Sequence, residues 1–162
     1  MAKKKPVPAP AQKVEPPARV VERNPDTAWL MLFGAWLIAT VGTLGAIFVS
    51  EVMEHPPCVL CWYQRICMFP LVVILALGLF PFDARVIRYT LPLAAAGAFV
   101  AFFHILLLAG VIPEGMKPCT QGVPCTDVPI QLLGFLTLPL LSVIAFSAIT
   151  ALMIMARSKM PK

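Results

Sequence analysis

Long apolar runs, broken by short polar connections, fill the chain from Ala28 to Ala156. The only acidic or basic residues in that stretch are Glu51, Glu54, Arg65, Asp83, Arg85, Arg88, Glu114, Lys117 and Asp127. Ala28–Ser50 is uncharged for 23 residues, Ile66–Phe82 for 17, Tyr89–Pro113 for 25 (His104 apart) and Val128–Ala156 for 29. A hydrocarbon core about 30 Å thick needs roughly 20 apolar residues of helix, within a range of about 17 to 25. Backbone in lipid must pair within the protein, which leaves helices and closed barrels as spanning structures. Barrel strands alternate in hydrophobicity over about 10 residues, whereas these runs are continuously apolar. The pattern predicts an all-α membrane protein whose spans cover residues 28–50, 63–82, 90–112 and 134–156. Short connections predict an antiparallel four-helix transmembrane bundle.

Charge then gives the bundle a direction. The chain is 59% hydrophobic and 13% charged, with a net charge of +5. Eleven basic residues precede the first span, join spans two and three, or follow the fourth, whereas only Arg65 and Lys117 fall at the other connections. By the positive-inside rule this asymmetry places both termini in the cytoplasm and residues 51–61 and 113–131 outside. The basic excess is therefore read as topology, and no nucleic-acid partner is expected. Residues 1–27 hold six prolines and a cluster of lysines without apolar periodicity, the composition of a disordered tail. Residues 158–162 form a second, short cytoplasmic tail. The first span exceeds the roughly 7–15 residues of a signal h-region and is expected to stay as an anchor. Gly34, Gly42 and Gly45, and Ala94–Ala98 around Gly97, are small-residue stretches that let membrane helices approach closely.

The five cysteines are Cys58, Cys61, Cys67, Cys119 and Cys125. Four fall in the two outer connections, where disulfides persist and thiol redox chemistry is available. Cys58-Val59-Leu60-Cys61 follows Pro56 and Pro57, a pattern that starts a helix. At a helix N-terminus the positive end of the backbone dipole favours a thiolate. Arg65 lies four residues past Cys61 and seven past Cys58, on the same helical face. An arginine so near lipid is a functional candidate by default, placed to stabilise a thiolate or an oxygen anion on a bound acceptor; the alternative is an interfacial arginine snorkelling to headgroups. Cys119 and Cys125 are separated by five residues that include Gly122 and Pro124; the pair is either a static staple or part of an active site. A four-cysteine zinc site is disfavoured by that spacing, since zinc knuckles use two to four intervening residues, and no metal is expected. Cys67, inside a span, is read as an apolar packer.

Cys58-Val59-Leu60-Cys61-Trp62-Tyr63-Gln64-Arg65, then His104, then Cys119 and Cys125, then Gln131–Pro139, together resemble the DsbB family of quinone-dependent disulfide-forming membrane proteins, in its short-loop, BdbC-type branch. The resemblance covers about residues 28–156. It implies a quinone-dependent protein-disulfide oxidoreductase of the bacterial cytoplasmic (inner) membrane, with the redox loops on the extracytoplasmic side. A reduced, exported thioredoxin-like (DsbA-type) oxidase would hand its electrons to Cys119/Cys125, with Cys119 the cysteine attacked. Cys58/Cys61 would reoxidise that pair and pass two electrons to a membrane quinone, ubiquinone or menaquinone. Arg65 would polarise a quinone oxygen. His104 would either bond a quinone oxygen or find a partner within the bundle, and Tyr63 and Trp62 would either flank the quinone or join the interfacial aromatic belt. Rival readings are a quinone-linked oxidoreductase similar to vitamin K epoxide reductase, whose cysteine pair lies on a late helix, and a non-enzymatic disulfide-stapled scaffold.

Overall fold

A computed structural model of the chain describes residues 25–112, Cys125, residues 131–132 and residues 136–159. Four helices carry the fold: α1 (Pro25–Glu51), α2 (Val59–Leu79), α3 (Ile87–Leu108) and α4 (Leu138–Lys159). All four are long and apolar enough to cross a membrane, so the protein is a multi-pass, all-α membrane bundle. The expected tails lie outside the described residues up to position 24 and from position 160.

Local chemistry sets where each helix starts and stops. α1 begins earlier than expected, at Pro25, with Asp26 in its first turn; proline suits the first helical position and an acid there complements the helix dipole. α2 starts at Val59, with Cys58 as its cap. Asp83 accepts from the Arg85 amide at 2.9 Å in the connection from α2 to α3, and a short 3₁₀ turn over Ala84–Val86 leads into α3. α3 ends in a Schellman closure: Gly110 takes φ +71°, its amide donates to the Leu107 carbonyl, and the Val111 amide donates to that of Leu106. A glycine adopts this left-handed conformation without a Cβ clash. Two short strands, β1 (Gln131–Leu132) and β2 (Leu136–Thr137), pair antiparallel just before α4. They were not expected from the continuously apolar sequence. Arg157 and Lys159 close α4, the sign that favours a helix C-terminus.

The helices form a ring of four neighbours: α1 against α2, α2 against α3, α3 against α4, and α4 back against α1. Leu32, Ala35 and Ala39 of α1 meet Met68, Leu71 and Leu75 of α2, Ala94 and Ala101 of α3, and Phe146, Ile149 and Met153 of α4 in the core. The outward faces are just as apolar, with Leu44, Leu77, Phe99 and Ile144 exposed. A helix hydrophobic all round belongs in lipid or a large core, and a four-helix ring has no layer outside it. Cys67 packs half-buried against this core.

Small residues act unevenly. A Cβ on Gly97 would run into the ring of Phe146, which is fully buried on α4. Gly34 and Gly42 sit in ordinary contact range of Leu152 and Met68, at 3.6 and 3.7 Å. Gly45 has nothing within 4 Å of its would-be Cβ, so it is not a packing glycine as expected from sequence. Helical rotation turns it outward.

Gly97→Ala should therefore destabilise the bundle by about 1–3 kcal/mol, the usual penalty for overfilling a packed core. Gly45→Ala should be neutral or slightly stabilising, since alanine is the better helix former. Unfolding of both variants in mixed micelles, followed by circular dichroism, checks the difference; equal loss at the two sites would refute the packing assignment.

Candidate active site

One end of the bundle gathers Cys58, Cys61 and Cys125. Cys58 occupies the N-cap of α2 with extended backbone angles (φ −69°, ψ 167°), and its Sγ accepts from the Cys61 amide at 3.4 Å. Pro56 and Pro57 cannot continue a helix backwards past this point, so the helix start and its unpaired amides fall on the motif. The Sγ atoms of Cys58 and Cys61 are 2.8 Å apart, and both cysteines are free of disulfides. A hydrogen bond from the Cys61 thiol lowers the Cys58 pKa most, helped by the amides of Cys61 and Leu60 and opposed by burial, bringing it from 9.0 to about 6. At neutral pH Cys58 is thus mainly thiolate, the form that attacks disulfides and leaves from them.

Cys125 meets this pair from the connection between α3 and α4. It is disulfide-bonded and buried, in a cluster with Cys58, Leu60 and Leu107 flanked by Cys61, Phe103 and Ile112. The cysteine sulfurs of Cys58 and Cys125 and a ring nitrogen of His104 all lie within 4.8 Å of one another. Such spacing would also suit a metal ion, but here the Cys125 sulfur is committed to its disulfide and both His104 nitrogens to hydrogen bonds. Cys119 lies outside the described residues.

His104 is 2% exposed in the last turns of α3. Its Nε2 lies 3.1 Å from the Cys125 carbonyl; a carbonyl only accepts, so Nε2 carries the proton. Nδ1 is then the acceptor, facing the Gln64 amide nitrogen at 3.3 Å. Of the two expected roles for His104, a partner within the bundle is the one this geometry displays. Gln64 escaped the sequence reading. The available signal was an amide on the first turns of an intramembrane helix, where an unpaired polar group is expensive and a partner across helices is to be looked for.

Arg65 turns toward α1. Its Nη2 donates to the Ala46 carbonyl at 2.6 Å and its Nη1 to Ser50 Oγ at 3.3 Å, while its guanidinium carbon lies 5.8 Å from the Trp62 ring centroid. These contacts place a cation beside the last turns of α1, near the negative end of its dipole. A guanidinium has five donors, so these two bonds leave others for a ligand. Trp62, Tyr63 and Ile66 face outward, giving the α2 terminus an aromatic and apolar rim.

Cys61→Ala should raise the Cys58 pKa from about 6 toward its ordinary 9.0, because the largest lowering contact is removed. The thiolate at pH 7 then falls from the majority to a minor fraction. Titration of thiolate ultraviolet absorbance in a Cys67→Ala background checks this; an unchanged midpoint would assign the low pKa to the helix terminus alone.

Comparison with known proteins gives the family. The family model "Disulfide bond formation protein DsbB" matches residues 25–156. A "Probable disulfide formation protein" of Metapseudomonas resinovorans is 47% identical over 132 residues, covering 81% of this chain and 92% of that protein. "Disulfide bond formation protein C" of Bacillus subtilis (strain 168) is 42% identical over 130 residues, covering 80% of this chain and 94% of that protein. No solved structure matches. With a thiol pair, a disulfide-bonded cysteine and four membrane helices joined at one end, the chain belongs to the DsbB family of disulfide bond formation proteins and is a membrane thiol-disulfide oxidoreductase.

Proposed function

We propose that this protein reoxidises an extracytoplasmic thioredoxin-like oxidase and delivers two electrons to a membrane quinone. The observation that carries the reading is the single buried cluster in which Cys58 of the thiol pair lies within 4.8 Å of the disulfide-bonded Cys125. The basic residues in the tails and in the α2–α3 connection support an orientation with both termini cytoplasmic. The cysteine end then opens outside, on the extracytoplasmic face of a bacterial inner membrane.

Electrons move by thiolate attack and mixed disulfides. A partner thiolate attacks Cys119 of a Cys119–Cys125 disulfide and releases the Cys125 thiolate. Cys125 attacks Cys58 of an oxidised Cys58–Cys61 pair, forming a Cys58–Cys125 disulfide and freeing the Cys61 thiolate. The partner's second thiolate displaces Cys119, leaving the partner oxidised. Cys119 then attacks Cys125, which restores the loop disulfide and expels Cys58 as a thiolate. Its low pKa makes Cys58 a good leaving group here. The net result is one oxidised partner and a reduced Cys58/Cys61 pair holding two electrons.

A quinone bound beside Cys61 supplies the terminal two-electron acceptor. The rim suits such a ring: Trp62, Tyr63 and Ile66 are exposed, and Cys61 is half-buried. Arg65 holds a positive charge at this edge, where its unused donors can bind a quinone oxygen. Its bonds to Ala46 and Ser50 keep it in place.

Purified protein with ubiquinone or menaquinone and a reduced thioredoxin-like partner, kept anaerobic, should reduce the quinone. Activity should vanish in Cys61→Ala and in Cys119→Ala. Failure to transfer electrons to any quinone would sink the proposal. Arg65→Ala should raise the quinone KM about tenfold or more, the loss of roughly one charge-assisted hydrogen bond, with a smaller effect on partner oxidation under single-turnover conditions. Equal loss in both assays would count against its assigned role.

A further inference from the structure

We infer that His104, braced by Gln64, is a positioning residue for exchange between the two cysteine pairs: it holds the Cys125 backbone so that its sulfur stays in reach of Cys58. This rests on the relay proposed above and assigns its inter-pair step to a part of the protein that carries no sulfur.

Three observations converge. First, the contact is to the main chain: His104 Nε2–H donates to the Cys125 carbonyl at 3.1 Å. It therefore fixes where residue 125 sits whatever the redox state of its sulfur. Second, the ring is oriented from behind. The Gln64 amide donates to Nδ1 at 3.3 Å, and both side chains are buried, at 7% and 2% exposure. The acceptor at Nδ1 keeps the proton on Nε2, where the carbonyl needs it, as an outer partner does for a metal-bound histidine. Third, the clamp joins the relevant elements. Gln64 lies on the same helix as Cys61 and follows Cys58 by six residues, His104 is on α3, and Cys125 belongs to the outer connection. One chain of hydrogen bonds thus ties the loop cysteine to the helix whose N-cap it must meet.

Thiol-disulfide exchange needs the attacking sulfur in contact with its target, and a misplacement of about 1 Å can slow a positioned reaction roughly a hundredfold. A loop held only by its disulfide loses that restraint when the disulfide opens, which is the moment Cys125 must find Cys58. The carbonyl contact to His104 persists through that step.

The test uses the full-length Cys61→Ala protein in detergent, equilibrated in a glutathione redox buffer, acid-quenched, alkylated and mapped by mass spectrometry. Without Cys61, Cys58 pairs within the site only by exchange with the loop, its other product being a glutathione mixed disulfide that the mapping resolves, so a Cys58–Cys125 cross-link should accumulate. Adding His104→Ala should lower the cross-link tenfold or more relative to the loop disulfide. His104→Gln, whose amide N–H can reach the same carbonyl, should restore it to within about threefold, which a simple volume change would not. Gln64→Leu should lower the cross-link in the same direction, and serves in place of His104→Ala if that variant fails to fold. An undiminished cross-link in a folded His104→Ala or Gln64→Leu protein would overturn the inference while leaving the relay intact. So would an intact cross-link together with a raised quinone KM for His104→Ala in the protein that keeps Cys61, which would move the histidine to the quinone site. No cross-link in the Cys61→Ala parent would bring down the relay itself.

Discussion

The absence of water from the bilayer core is the constraint on which everything else here depends. Backbone amides and carbonyls without partners are too costly there, so the chain must cross as unbroken helices and can bend only at their ends. Reactive chemistry is pushed to those ends. At the start of α2 the first amides lack helical partners, and the sulfur of Cys58 fills that role. The same requirement that starts a helix at the membrane edge therefore adds amide donors to the Cys61 thiol in holding Cys58 as a thiolate.

The polar groups of the site obey the same rule. Arg65 takes the carbonyl of Ala46 and the hydroxyl of Ser50 near the end of α1, and so brings a cation to the rim with its own donors partly satisfied. Gln64 and His104 satisfy each other and the Cys125 carbonyl. The Gln64–His104–Cys125 bonds thus link α2, α3 and the connection that carries Cys125. Binding and stability are here served by the same contacts, and neither Arg65 nor His104 is a freely presented side chain.

Much of this was legible in the order of residues. Uninterrupted apolar runs between sparse charges gave the four helices, because length and hydrophobicity alone decide what can cross. Pro56-Pro57-Cys58 placed a helix start on the cysteine motif, because proline cannot sit inside the preceding turn. Other features depended on helix rotation, which apolar composition on every face leaves open: Gly45 faces outward while Gly97 receives the Phe146 ring. The strand pair before α4 has no alternation in sequence to announce it.

The sequence by itself determined the membrane bundle, the cysteine pair at a helix N-terminus and the family. It did so through properties that act along the chain: span length, charge asymmetry and motif spacing. The tertiary structure decided which groups meet. Gln64 and His104 are 40 residues apart, and His104 and Cys125 21 apart. Arg65 reaches 19 residues back to Ala46. No local preference encodes such contacts. They arise because closing the ring of helices brings the end of α1, the start of α2 and the end of α3 to one edge, where these polar groups find their partners.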